Sequence, residues 1–142
     1  MPTIRVVEPD ATPWMVGSKN AERGDGMAGL VEQLDPNAPA ARFFHPGSDT
    51  ELQAFEMRLG PGYELPPHAH LEDEIIYVLA GTLELGARTL RPGASVYIPA
   101  ETLYALRAGP EGLRFLNMRA RQDLSFFTKE EFLARRAQRA TS

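Results

Sequence analysis

Residues 62–74 read GYELPPHAHLEDE, placing two of the chain's three histidines just ahead of three consecutive acids. On an extended chain, side chains two positions apart point to the same side, so His68 and His70 face one way and Glu74 shares their parity. One strand edge can then present three ligands. Two neutral imidazoles and a carboxylate suit a divalent first-row cation, and leaving open positions around such a set is the pattern of non-haem iron(II). Manganese, nickel, cobalt and zinc fit the same donors. Pro66 and Pro67 lack N–H donors and stiffen the approach to the two rings. Taken alone, the same residues also read as a loop of surface histidines beside acids.

The wider spacing adds a second line of reasoning. Gly62, five residues, His68-Ala-His70, three residues, Glu74, six residues and Gly81 form a pattern that resembles the first motif of the cupin superfamily at every specified position. The following GARTLRPGASVYIPAETLY places Gly86, Gly93 and Pro99 as the second cupin motif does. The resemblance covers residues 62–104 and implies a double-stranded β-helix, a jelly-roll barrel, with metal ligands at His68, His70 and Glu74. It also implies a fourth ligand, a histidine, five residues after Pro99, where this chain has Tyr104; Glu101 stands where the family's turn has glycine. A tyrosine has a pKa of about 10, so a neutral phenol is a poor ligand unless the metal acidifies it. Three readings stay open: Tyr104 ligates as phenolate, it orients whatever occupies an open position, or the site has decayed and binds nothing.

The remainder of the chain supports an all-β fold on its own terms. Apolar stretches recur at Ile4 to Val7, Leu30 to Leu34, Arg42 to Phe44, Leu52 to Leu59, Ile75 to Ala80, Leu83 to Leu85, Ala94 to Ile98, Leu103 to Leu106 and Leu113 to Met118. Turn residues such as GPG, LRPG and AGPEG separate them, as in a sandwich or barrel of short strands. The stretch around 30–34 is ambiguous with a short helix, and the polar GSKNAERGDG at 17–26 reads as a mobile loop. In Leu52 to Leu59, Phe55, Met57 and Leu59 share one face, with Glu56 and Arg58 on the other. Near the C-terminus, Thr128 and Glu131 form a capping box and Phe127 can staple onto Phe132, so KEEFLARRAQRA should be helical. The expected organisation is an N-terminal arm with strands over 1–50, packing on the barrel or on a dimer partner, a barrel over 51–122, and a closing helix within 123–142.

Strand parity extends the site. Ile76 and Val78 follow Glu74 on one side and Leu106 follows Tyr104, giving an apolar wall or plain core packing. Glu72 reads as a solvent-facing or supporting acid, His45 as a surface turn residue, and Trp14 as a candidate plug for one barrel end.

Composition narrows the partners. Lys and Arg number 15 against 19 Asp and Glu, and the arginines are scattered, so the footprint of nucleic-acid binding is missing. No apolar run approaches the roughly 20 residues of a membrane span, and the start MPTIRVVEPD has no apolar signal core, so a cytoplasmic location is expected. The chain has no cysteine, which removes disulfides and thiolate zinc sites and leaves nitrogen and oxygen as metal donors.

Such a cupin is expected to be a small-molecule enzyme of the dioxygenase, isomerase or lyase class, oxygenase-like first. Its metal would activate a carbonyl, carboxylate or enolate, with Tyr104 as ligand, acid/base or orienting group. The alternative is a non-catalytic ligand- or metal-sensing module acting through a partner protein. Similar cupins are often homodimers, which is the assembly expected here.

Overall fold

β-Branched and aromatic residues alternating with polar ones give strands, and among the described residues every strand pairing is antiparallel. The computed structural model describes residues 2–16 and 39–141; the run 17–26 and the stretch around Leu30 to Leu34 lie outside the described residues. In chain order the strands are β1 (Met15–Val16), β2 (Ala40–His45), β3 (Gln53–Leu59), β4 (Glu64–Ala69) and β5 (Glu74–Leu85). Then follow β6 (Arg88–Leu90), β7 (Ser95–Ile98), β8 (Tyr104–Arg119), β9 (Phe127–Thr128) and helix α1 (Lys129–Thr141).

Two long strands organise the barrel. The second half of β8 lies between β3 and the first half of β5, giving the order β1-β2-β3-β8-β5-β7. The first half of β8 lies between β4 and the second half of β5, giving β9-β4-β8-β5-β6. The two halves close over one core of Phe55, Met57, Leu59, Leu65, Ile76, Val78, Leu83, Leu106, Leu113 and Phe115. Burying each large side chain contributes about 1.5 to 3 kcal/mol. The result is the all-β jelly-roll barrel with a C-terminal helix that the sequence predicts.

Several local expectations change. The stretches Ile75 to Ala80 and Leu83 to Leu85 are one strand, as are Leu103 to Leu106 and Leu113 to Met118. Glycine makes this possible: at Gly81, with φ 71°, an added Cβ would sit 2.0 Å from the carbonyl oxygen of Gly112, so the strands approach where only a hydrogen fits. The run 109–112 becomes a bulge between Leu83↔Ala108 and Gly81↔Leu113. Ile4 to Val7 forms no strand, and Ile4 and Val6 are 95% and 77% exposed. Proline at positions 2 and 9 brackets that segment and limits its backbone pairing.

Glu56 faces outward on β3 as its parity requires, yet it is buried, because Arg42 and Arg114 fold over it at 2.8 and 2.6 Å. Trp14 lies on that same outer face, its ring covered by the guanidiniums of Arg42 and Arg58 at 4.7 and 4.6 Å, and so does not plug a barrel end. The capping box forms as read: Thr128 N donates to Glu131 Oε1 at 3.3 Å and Glu131 N to Thr128 Oγ1 at 3.2 Å. α1 packs on β4 and β9 through buried Phe132. Among the described residues no helix is long and apolar enough to cross a membrane.

Candidate metal centre

The Pro66-Pro67 pair interrupts the β4 ladder. Neither residue can donate a hydrogen bond, and the register with β8 shifts between Leu65 and His68. The bend turns His68 inward opposite Tyr104, and His70 follows just past the end of β4. Both rings are buried, with centroids 4.9 Å apart in an edge-to-face arrangement. Each is held by a backbone carbonyl: Nδ1–H of His68 donates to the oxygen of Pro66 at 2.8 Å, and Nδ1–H of His70 to the oxygen of Ser125. Since a carbonyl only accepts, the proton of each neutral ring sits on Nδ1 and the lone pair on Nε2. Burial, together with the neighbouring His70, lowers the His68 pKa to about 4; burial and the charge of Arg119 lower that of His70. Both imidazoles are therefore neutral at neutral pH.

Glu74 opens β5 and points inward with them. Its Oε1 accepts from the Tyr104 hydroxyl, and its Oε2 accepts from Asn117 Nδ2 at 3.0 Å and from Arg119 Nε and Nη2 at 3.2 and 2.9 Å. Burial pushes the carboxyl pKa up, but the charge of Arg119 and the hydrogen bonds from Tyr104 and Arg119 outweigh it, so Glu74 stays ionised and below the usual range. Tyr104 moves the other way: burial and the charge of Glu74 hold its phenol well above the usual tyrosine range. The hydroxyl therefore keeps its proton and donates it to Glu74.

His68, His70 and Tyr104 thus share one pocket, with ring centroids of His68 and Tyr104 4.3 Å apart, and Glu74 joins them through the Tyr104 hydroxyl. Among the described residues, no three His, Asp or Glu side chains are drawn together tightly enough to enclose an ion in this arrangement. The chemistry of the donors nevertheless fits a divalent cation. Two Nε2 lone pairs are presented by rings whose tautomers are fixed from behind, the usual support for ligating histidines. Glu74 Oε1, with one donor, has a lone pair to spare.

Sequence reasoning missed Asn117, Arg119 and the segment 123–126. Arg119 donates to the Asp123 carbonyl as well as to Glu74, Asp123 accepts from the backbone N–H groups of Glu72 and Ser125, and the Phe126 ring stacks on His68 at 4.6 Å. A signal for the first two existed: Leu113 and Phe115 face the core, so Asn117 and Arg119 place polar side chains on the buried face of β8. Of the other singled-out residues, Leu106 lines the pocket, while Ile76 and Val78 pack in the core. Glu72 pairs with Arg121 at 3.0 Å near the surface, and His45 borders a groove on the outside of the barrel. Glu101, in the position of the family's glycine, has φ 56°; its N–H donates to the His70 carbonyl at 2.8 Å and its carboxylate meets Arg139 of α1 at 3.0 Å.

The pocket inside the barrel is a cavity of about 40 Å³. Its polar groups come from His68, His70, Tyr104, Asn117 and Arg119, with Asp123 and Ser125 at one side, and the rest of its wall is apolar, with Phe43, Phe55, Met57, Leu65 and Phe115. Residues 55–118, which include all four predicted ligand positions, match the cupin domain family. The chain carries a cupin domain. As a whole the cupin fold is similar to that of an RmlC-like cupin protein from Ralstonia eutropha JMP134, at 14% identity and a TM-score of 0.63 over 98% of this chain and 88% of that one. A dimethylsulfoniopropionate lyase, DddW, from Ruegeria pomeroyi is 40% identical over 60 residues, 39% of this chain, and the chain spans only 40% of that relative's length. The structure of the DMSP lyase DddQ from Ruegeria pomeroyi DSS-3 is similar at 26% identity and a TM-score of 0.51, over 58% of this chain and 45% of that one.

Proposed function

We propose that this cupin is a metal-dependent lyase acting on a small carboxylate, with His68, His70 and Glu74 holding a divalent cation, iron(II) foremost. The observation that carries this reading is the pinning of both imidazoles: each gives its Nδ1 proton to a backbone carbonyl, which leaves two neutral Nε2 donors side by side in a buried pocket. The similarity to two dimethylsulfoniopropionate lyases favours the lyase class among the three that the motif admits. When bound, the cation supplies a Lewis acid that polarises a carboxylate oxygen and acidifies the adjacent C–H. Tyr104 is the proton-handling group. Its hydroxyl sits on Glu74 Oε1, and with the cation bound it would lose its proton to solvent; the resulting phenolate would take the proton from carbon and return to the phenol, leaving Glu74 ionised throughout. The C–H electron pair becomes the new C=C bond, and the substituent on the next carbon leaves with its bonding pair.

The test has two stages. Protein purified without chelator should carry stoichiometric transition metal, and His68→Ala and His70→Ala should each lose it. Loaded protein is then given dimethylsulfoniopropionate and other 3-substituted propionates while alkene formation is followed by NMR. A protein that holds its metal yet yields alkene from none of them is not this lyase, and ligand-dependent stabilisation without turnover would point to the sensory module.

For assembly, the outward face of β5 and β7 bears exposed Ile75, Tyr77, Leu79 and Tyr97, beside a groove of about 780 Å³ whose rim carries Arg5 bound to Glu51. That contact brings the unpacked Ile4 and Val6 to the same rim, so one chain offers both an apolar arm and an apolar face. A homodimer in which a second copy covers this face is the assembly we propose. Light scattering should give twice the 15.7 kDa chain mass, falling to monomer in Tyr97→Glu; a monomeric wild type removes the proposal.

A further inference from the structure

The Asn117 side chain is 4% exposed, and its Oδ1 has no hydrogen-bond partner among the described residues. Its orientation is not ambiguous. Glu74 is ionised and can only accept, so the amide nitrogen must face Glu74 Oε2, where it sits at 3.0 Å, and Oδ1 is the atom turned away from it. Asn117 lines the same cavity as His68, His70 and Tyr104. A buried acceptor without a donor is costly, and about 40 Å³ admits a water molecule that would supply one. A ligand entering the cavity displaces such a water and must replace its hydrogen bond or leave Oδ1 bare.

We propose that Asn117 is a specificity residue of this site and that its Oδ1 selects small carboxylates bearing a hydrogen-bond donor, a hydroxyl or an amine, within reach of the carboxylate-binding end. The proposal rests on the lyase reading above and narrows its substrate class. The other polar groups around the cavity are already engaged: Tyr104 and Arg119 donate to Glu74, the imidazole Nδ1 protons go to backbone carbonyls, the Asp123 carboxylate accepts from the N–H groups of Glu72 and Ser125 and from the Ser125 hydroxyl, and the two Nε2 lone pairs would be taken up by the cation. Beyond them the wall is aromatic and aliphatic, so a ligand's donor has Oδ1 as its acceptor there. Dimethylsulfoniopropionate, a carboxylate with a sulfonium group and no donor at neutral pH, satisfies the carboxylate requirement and leaves Oδ1 unmet. It should therefore be a poor ligand of this chain compared with hydroxylated carboxylates of its size.

The experiment crosses a ligand change with a residue change. Butanoate, 2-hydroxybutanoate and 3-hydroxybutanoate are titrated by calorimetry into metal-loaded wild type and Asn117→Ala, and alkene release from 3-substituted propionates is followed separately. The coupling between the two changes isolates the contact from the loss of the Asn117 bond to Glu74. At least one hydroxy acid should bind wild type about tenfold or more tightly than butanoate, and that preference should fall below about twofold in Asn117→Ala. Equal binding of all three acids by wild type, a preference that survives in Asn117→Ala, or binding of none of them overturns the proposal. If the preference is present but no alkene is released from any substrate, the selection by Asn117 stands and the lyase reading falls. Should Asn117→Ala fail to fold, Asn117→Ser, which is smaller and keeps a hydroxyl, takes its place in the same cycle.

Discussion

Nε and Nη2 of Arg119 both donate to one oxygen of Glu74, at 3.2 and 2.9 Å, and both side chains are buried where β5 and β8 pair residue to residue. Removing the cation would strand the carboxylate in the barrel. Arg119→Met is expected to cost about 3 to 5 kcal/mol, the usual penalty for breaking a buried pair from one side. Urea unfolding with chelator present measures it; a loss under about 1 kcal/mol would mean that Glu74 finds water or takes up a proton. The conservative Arg119→Lys keeps the charge but not the fork, and should fall between wild type and Met.

Acid should weaken the metal-free protein earlier than its carboxylates alone would. The folded His68 pKa of about 4 lies below the unfolded value of about 6.5, so the unfolded chain binds the proton first as pH falls. Stability from this group is complete above the unfolded pKa, is lost between there and about pH 4, and changes no further below. His70 shifts in the same direction and adds to the loss, while Glu74, also lowered, adds its own as pH drops through the carboxylate range. Unfolding free energies measured at pH 7.5, 6 and 5 in chelator should decline steadily, by a few kcal/mol in total, and a flat profile above pH 5 would contradict the burial argument.

Tyr104→Phe separates ligation from proton handling. The variant removes one of four hydrogen bonds to Glu74, leaving those from Asn117 and Arg119, so a stability loss of about 1 kcal/mol is expected. Metal content should be retained while turnover falls by about a hundredfold or more. Loss of metal in this variant would show that the phenol itself is a ligand.

Glu101→Gly should stabilise the fold. Glu101 sits at φ 56°, where a side chain costs about 1 to 2 kcal/mol, and the greater freedom of glycine in the unfolded chain offsets part of that gain. Its ion pair with Arg139 is solvent-exposed and contributes little. A net gain of about 0.5 to 1 kcal/mol is expected in thermal unfolding, with the N–H bond to His70 intact. A decrease would show that the tie to α1 outweighs the backbone strain.

The pattern of apolar residues in the sequence was enough to place β3, β5, β7 and β8, because one face of each is buried and period-2 alternation is then enforced. The capping box located α1 because it is a local hydrogen-bond motif. The grouping of His68, His70 and Tyr104 followed from motif spacing. What stayed hidden was non-local. Whether two runs join into one strand depends on the approach of Gly81 to Gly112 across the sheet, and Ser125 reaches His70 from 55 residues away. Asn117 and Arg119 were visible in principle as polar residues on a buried face, but their partner Glu74 is set by strand pairing alone. Ile4 to Val7 has the β-branched composition of a strand, but composition does not supply a partner, and the segment pairs with none among the described residues.

The His70 ring takes its orientation from a main-chain oxygen at position 125, an atom every amino acid provides. Substitutions there can leave the tautomer untouched, so surveys that rank positions by residue invariance would pass over a segment that tunes the chemistry. Lineages of such barrels are free to redraft this clasp, altering the ring's tilt or basicity through backbone placement, while the ligand letters stay the same.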